Sequence, residues 1–207
     1  MSAKKRDGCN MLCVTPQPEP EEFDAKVRQK GLAHLQAKNI DVTQPLPKGT
    51  IINSYWVDCL DDLYSSYSGV CAYVAVHFER ITGNGSVDHF AAKSTRADLA
   101  YEWTNYRLSC SRMNSRKNNY DDVLDPFDVN DGDFFLELVT GAIYPNPSSP
   151  RIDEVTATIT RLKLDATDCR SLRSKHFDLY RTGDISANYL RRMSPLVWYE
   201  ANRQGLL

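Results

Sequence analysis

The sequence predicts an α+β fold in which a compact core of strand, strand and helix is wrapped by N-terminal and C-terminal helices. Three observations predict it. The β-rich apolar run VCAYVAVHFERI is followed by the turn GNG and by SVDHF, so residues 70–90 read as a β-hairpin. YRLSC at 106–110 has a strand pattern and runs directly into SRMNSRKNN, where Ser111 opens a helical turn. Apolar residues recur at helical spacing on both flanks of this stretch. The 207 residues are enough for one domain of ordinary size, and 42% hydrophobic residues supply a core.

Each element follows in order. TPQPEPEE at 15–22 is an extended acidic lead, because its prolines cannot sit inside a helix. From residue 21, Phe23, Val27, Leu32 and Leu35 recur at helical spacing, with Gly31 a point of interruption. DVTQPLPKGT is turn-rich, and then Trp56, Leu60, Leu63, Tyr64 and Tyr67 share one face of a second helix that stops near Gly69. Residues 91–105 have little β pattern, which gives the order strand, loop, strand, helix. FFLELVTGAIYPN reads as another hairpin, turning near Gly141. DEVTATITRLKL, TDCRSLRSKHFDLYR and SANYLRRMSPLVWYEANR read as helices, the last broken at Pro195, and no internal repeat is visible. The chain divides into an N-terminal arm and helix at 1–50, a central domain at 51–180 and a helical extension at 181–207. Arm and extension exceed what the core needs, which predicts that a protein partner docks on them.

The 25 basic and 27 acidic residues give a net charge of -2, so any polyanion site must come from a local cluster. No window approaches the roughly 18 consecutive apolar residues of a spanning helix, and MSAKKRDGCN lacks an apolar signal core. The expectation is a soluble, cytoplasmic protein that does not engage a membrane. Cysteines at 9, 13, 59, 71, 110 and 169 are too scattered for a disulfide scaffold and read as reduced thiols. Cys9 and Cys13 read first as part of a loose terminus, with metal binding the minor alternative. Cys59 and Cys169 read as buried thiols.

The chemistry concentrates between Ser86 and Lys117, where six basic residues (Lys93, Arg96, Arg107, Arg112, Arg116, Lys117) face three acidic ones (Asp88, Asp98, Glu102). This local excess of +3 surrounds an adjacent Asp-His pair. Asp88 and the amide oxygen of Asn114 are oxygen donors that suit Mg²⁺ or Mn²⁺. His89 is substantially neutral near pH 7 and can take a proton from an attacking water. Asn105, or a backbone carbonyl near it, is the candidate to orient that ring. Lys93, Arg107, Arg112, Arg116 and Lys117 are the candidates for contact with nucleic-acid phosphates; for Arg112, Arg116 and Lys117 the alternative is a solvated helix face, and their position beside Asn114 favours the phosphate contact. Together these supply a hard-cation site, a base and an orienting group, which phosphodiester hydrolysis requires. His34 and His77 read as structural, and His176, among Arg173, Lys175 and Arg181, as part of a solvated helix face. Trp56, Trp103 and Trp198 read as core or interface anchors.

The run DHF-x2-KS from Asp88, then WTN at 103–105, then SRMNSRK at 111–117 resembles the HNH endonuclease, or ββα-metal, motif. The spacing from Asn105 to Asn114 is similar to that of HNH domains in RNA-guided CRISPR nucleases. Over roughly residues 56–175 the chain is similar to the bacterial HNH branch that includes PtuB, the nuclease subunit of the Septu anti-phage defence system. The resemblance implies a ββα-metal core in which Asp88 and Asn114 bind one Mg²⁺ or Mn²⁺, His89 is the general base and Asn105 supports the active-site loop. It also implies DNA as substrate, with RNA, including tRNA, as the alternative, and a defence role beside an ATPase partner subunit. The chain departs from this pattern at the structural zinc. Where many relatives carry two CxxC pairs, it reads Cys71-x2-Val74 and Cys110-x2-Met113, so no structural zinc is expected and Val74 and Met113 should pack in its place. AKS replaces the usual PxS after the histidine, and the last motif position is Asn rather than His. The competing reading is a catalytically decayed HNH-like nucleic-acid-binding or scaffold subunit.

Overall fold

The computed structural model describes residues 13–207 and is α+β. Cys9, one of the two N-terminal cysteines considered for metal binding, lies outside the described residues. After an extended lead, a π-helical turn at Asp24–Arg28 passes into α1 (Gln29–Ala37) without a break at Gly31. Glycine is required there by close packing: a Cβ would sit 2.1 Å from the Tyr101 ring. Helix α2 (Leu60–Ser66) follows, entered through a 3₁₀ turn at Tyr55–Cys59.

The hairpin expected at 70–90 does not form. Val70 and His77 make only an isolated bridge, Cys71 N–H donates to Val76 O (3.0 Å) and Ala75 N–H donates to Cys71 O (2.9 Å). Ala75 adopts a left-handed conformation, with φ 50°. Residues 71–76 are therefore a buried knuckle, docked on the second strand by Ala72 N–H to Leu108 O (2.8 Å). A short continuous apolar run marks burial on all sides, which a knuckle achieves as well as a strand does. The short helix α3 (Arg80–Gly83) leads into β1 (Gly85–His89), whose partner is β2 (Tyr106–Cys110). The pairing is antiparallel, with Gly85 opposite Cys110 and His89 opposite Tyr106. The chain passes directly from β2 into α4 (Ser111–Lys117), which packs on both strands, so strand, strand and helix form one unit.

A second antiparallel pair, β3 (Phe134–Leu136) with β4 (Ile143–Pro145), turns at Gly141 as the sequence predicts. Gly141 has φ 70°, and a Cβ there would meet Arg170 O at 2.1 Å. Helices α5 (Ile152–Leu162), α6 (Thr167–Arg181), α7 (Ala187–Met193) and α8 (Pro195–Arg203) close the chain, with the α7–α8 break at Pro195. Among the described residues no helix is long and apolar enough to cross a membrane.

Two apolar clusters hold the central unit. In one, Phe23, Val27 and Leu35 from the N-terminal arm pack with Val87, Tyr101, Trp103, Tyr106 and Leu108. In the other, the knuckle and Met113 pack with Phe134, Val155, Leu162, Phe177 and Val197 from the C-terminal half. Phe78 borders both. The segments flanking the central region thus complete its core. His176 is half-buried and hydrogen-bonded to Ser194 rather than part of a solvated face, and its neighbour Arg173 is buried, donating to Gly141 O and Leu164 O.

Candidate active site

Strand alternation puts Ser86 and Asp88 on one face of β1, and α4 packs against that strand. Asn114 Nδ2 donates to Ser86 Oγ at 2.6 Å, which turns its amide oxygen free of that bond. Asp88, 2% exposed, accepts from the Tyr73 hydroxyl at Oδ2 (2.5 Å), and the Lys117 ammonium lies 3.9 Å from the same oxygen. Burial pushes the Asp88 carboxyl up, against Lys117, Tyr73, Arg107 and Lys93, which favour the carboxylate.

His89 ends β1, 7% exposed. Its Nε2 lies 2.9 Å from Ala100 O, and a carbonyl only accepts, so Nε2 carries the proton and Nδ1 the lone pair. The Tyr106 hydroxyl donates to the same carbonyl at 2.9 Å. Trp56 and Tyr106 meet the imidazole edge-on, with centroids at 4.6 and 5.1 Å. Burial, aided by Lys93 and Lys117 and opposed by the Ala100 carbonyl, brings the His89 pKa down to about 4. The ring is therefore neutral at pH 7, as a base must be.

Asp88, His89, Asn114, Ser86, Lys93 and Trp56 line a single polar cavity of about 310 Å³, which Ser115, Asn118 and Asn119 complete. No protein-family model matches the chain, and no curated protein matches it. What the cavity can do chemically rests on its own residues. Asp88 and Asn114 bring two oxygens to its lining, Asp88 Oδ1 and the Asn114 amide oxygen, that the hydrogen bonds described above do not engage. The set is hard and small, leaving coordination positions for water and phosphate, and so fits Mg²⁺ or Mn²⁺. Among the described residues no three His, Cys, Asp or Glu side chains cluster as a larger ligand set.

Asn105 does not touch the His89 ring; the orienting group is the Ala100 carbonyl, the backbone alternative. Asn105 instead clamps the loop between the strands, accepting from Ala91 N–H (2.8 Å) and donating to Ala91 O (3.0 Å) and Leu99 O (3.1 Å).

The basic cluster is the main correction. Arg107, 3% exposed, makes a two-pronged ion pair with Asp125 at 2.7 and 2.5 Å, donates to Thr104 O and stacks 3.5 Å above the Phe127 ring. Lys117 is 0% exposed and donates to His89 O (3.0 Å) and Phe90 O (2.5 Å). Arg112 and Arg116 both pair with Asp168 at the start of α6. Of the five candidates, Lys93 lines the cavity, its ammonium 5.2 Å from the Trp56 ring centre. Trp56 is a wall of the cavity and also packs against the N-terminal apolar cluster, whereas Trp103 is buried, its Nε1–H donating to Gln17 O.

Tyr73 and Ser86 are site residues that the sequence reading missed, and Ala100 supplies the backbone carbonyl whose position that reading left unspecified. Ser86 was recoverable, because it stands two positions before Asp88 on one strand. Tyr73 lies in an apolar run, and Ala100 acts through its backbone, so neither leaves a signal. At the places compared with a zinc knuckle, Cys110 N–H points to Cys71 Sγ (3.4 Å) and Val74 and Met113 are buried in the cluster that includes Cys71. Two thiols alone do not fit a tetrahedral zinc site.

Proposed function

We propose that the chain is a metal-dependent endonuclease of the HNH (ββα-metal) type that hydrolyses phosphodiester bonds in DNA. The observation that carries this reading is the convergence of Asp88, His89 and Asn114 on one polar cavity, with the His89 tautomer set by Ala100 O. Asp88 and Asn114 would hold Mg²⁺ or Mn²⁺, which when bound stabilises negative charge on the phosphate and on the leaving 3′ oxygen. His89 Nδ1 takes the proton of a water as that water's oxygen bonds phosphorus and the bond to the 3′ oxygen breaks. Trp56 and Tyr106 hold the imidazole plane, Ala100 O holds its Nε2–H, and Asn105 keeps the 91–99 loop folded beneath it. Lys93 draws a backbone phosphate into the cavity. A role in anti-phage defence beside an ATPase partner is proposed on the sequence resemblance.

The test is cleavage of supercoiled plasmid and of total RNA with Mg²⁺, Mn²⁺ or EDTA, comparing wild type with His89→Ala. The expected result is metal-dependent cutting of DNA that falls by about 10²-fold or more in the variant, the scale of a lost general base. Wild-type rates in His89→Ala would overturn the base assignment. RNA cut in place of DNA would change the substrate. A folded wild type that neither cuts nor binds Mn²⁺ by calorimetry would leave the scaffold reading in its place.

A further inference from the structure

We propose that Cys71 and Cys110 are a redox-active pair, oxidised by a hydroperoxide to a disulfide that fastens the 71–76 knuckle to the junction of β2 and α4. The inference does not depend on the nuclease reading. The two residues are 39 positions apart, yet the fold brings them together, with Cys110 N–H pointing to Cys71 Sγ at 3.4 Å. Cys71 is fully buried, with Ser109 Oγ 3.8 Å from its sulfur, while Cys110, at the end of β2, is only partly buried. The other buried thiols have different neighbours: Cys59 Sγ faces Trp56 O at 3.2 Å, and Cys169 Sγ faces the Arg116 guanidinium at 3.6 Å.

This geometry divides the labour as a peroxide-sensing pair requires, an accessible thiolate beside a resolving thiol. The neighbouring Cys71 side chain and the backbone N–H groups of Met113 and Arg112 hold the Cys110 thiol below its usual range, and burial pushes Cys71 well above it. In the first step Cys110 sulfur attacks the peroxide: an S–O bond forms, the O–O bond breaks, and the departing oxygen leaves as an alcohol, or as water from hydrogen peroxide. In the second step Cys71 sulfur attacks Cys110 sulfur: the S–S bond forms, the S–O bond breaks, and water leaves with the Cys71 proton. Two thiols are oxidised by two electrons, and one hydroperoxide is reduced.

The disulfide would enclose β1, the inter-strand loop and β2 in a covalent ring. It would also restrain the knuckle that carries Tyr73, the residue bonded to Asp88. Closing a ring of this length removes freedom from the unfolded chain, so oxidised protein should melt several degrees higher than reduced protein.

The experiment treats the full chain with hydrogen peroxide near stoichiometry, blocks remaining thiols with N-ethylmaleimide and maps peptides by mass spectrometry. One linked pair, Cys71 with Cys110, is expected, and dithiothreitol should abolish it. In Cys71→Ser the sulfenic acid on Cys110 should persist and be trapped by dimedone. In Cys110→Ser the rate of thiol loss at low peroxide should fall by about tenfold, because the accessible thiolate is gone. Wild type that shows no Cys71–Cys110 link while Cys110 advances to sulfinic acid would overturn the proposal. So would a dominant link to another cysteine. The wild-type map is decisive even if a variant fails to fold.

Discussion

Helix α4 carries polar residues both toward β1 and toward the junction of α5 and α6, yet their side chains end in opposite ways. Toward β1, Asn114 is tied by one amide hydrogen to Ser86 and keeps its oxygen for the cavity, where Ser115 and Lys93 also stand. Toward α6, Arg112 and Arg116 converge on Asp168, and Arg116 also donates to Leu162 O at 3.1 Å. A polar group serves a ligand only where the fold withholds its complementary partner. The basic count of a segment therefore overstates its phosphate-binding capacity whenever acidic residues far along the chain fold back onto it.

Substitutions can break this contrast, beginning with the largest effect. Asn114→Ala removes a proposed metal ligand and should lower metal-dependent cleavage by at least about 100-fold, the upper end for loss of even a supporting group near a metal. Its circular dichroism should remain native, since the side chain makes one hydrogen bond to a half-buried serine. One turn on, Lys117→Ala should act on stability. Two buried carbonyls and Asp88 lose a charged partner, at a cost of about 3 kcal/mol or more in urea unfolding. A Lys117→Ala protein as stable as wild type would show that its cavity refills with water.

The smaller effects sharpen the same contrast. Lys93→Ala should weaken DNA binding by roughly fivefold and make the slope of log affinity against log salt shallower by about 0.9, the signature of one lost phosphate contact. Arg112→Ala, on the α6 side, should change binding by less than about twofold and leave that slope unchanged, because an exposed ion pair contributes little and the side chain is directed away from the cavity. Equal salt responses in the two variants would erase the distinction drawn between the two sides of the helix.

Much of this organisation is legible in the sequence. The helical spacing of Phe23, Val27 and Leu35 and the Gly141 turn survive in the structure because a local pattern and the tertiary environment ask for the same conformation. The strand expected at 70–81 fails because VCAYVAV is apolar at every position, and unbroken apolarity carries no period to separate a strand from a buried knuckle. At the site, Asp88, His89 and Asn114 announce themselves as side chains. The Ala100 carbonyl cannot, since any residue type would present it. The ion pairs joining Arg107 to Asp125 and Arg112 to Asp168 span 18 and 56 positions, and their existence depends on a topology that local patterns do not encode.

The Lys117 ammonium, sealed from solvent and 3.9 Å from the carboxylate of Asp88, acts as a resident counter-ion. The buried acid therefore reaches its folded position already compensated, without an external cation to offset it. On the proposed function, assembly and loading would then be separate events in the life of the protein. The chain would mature and wait in an uncommitted form, and an additional cation would be recruited when a polyanion arrives to share its charge.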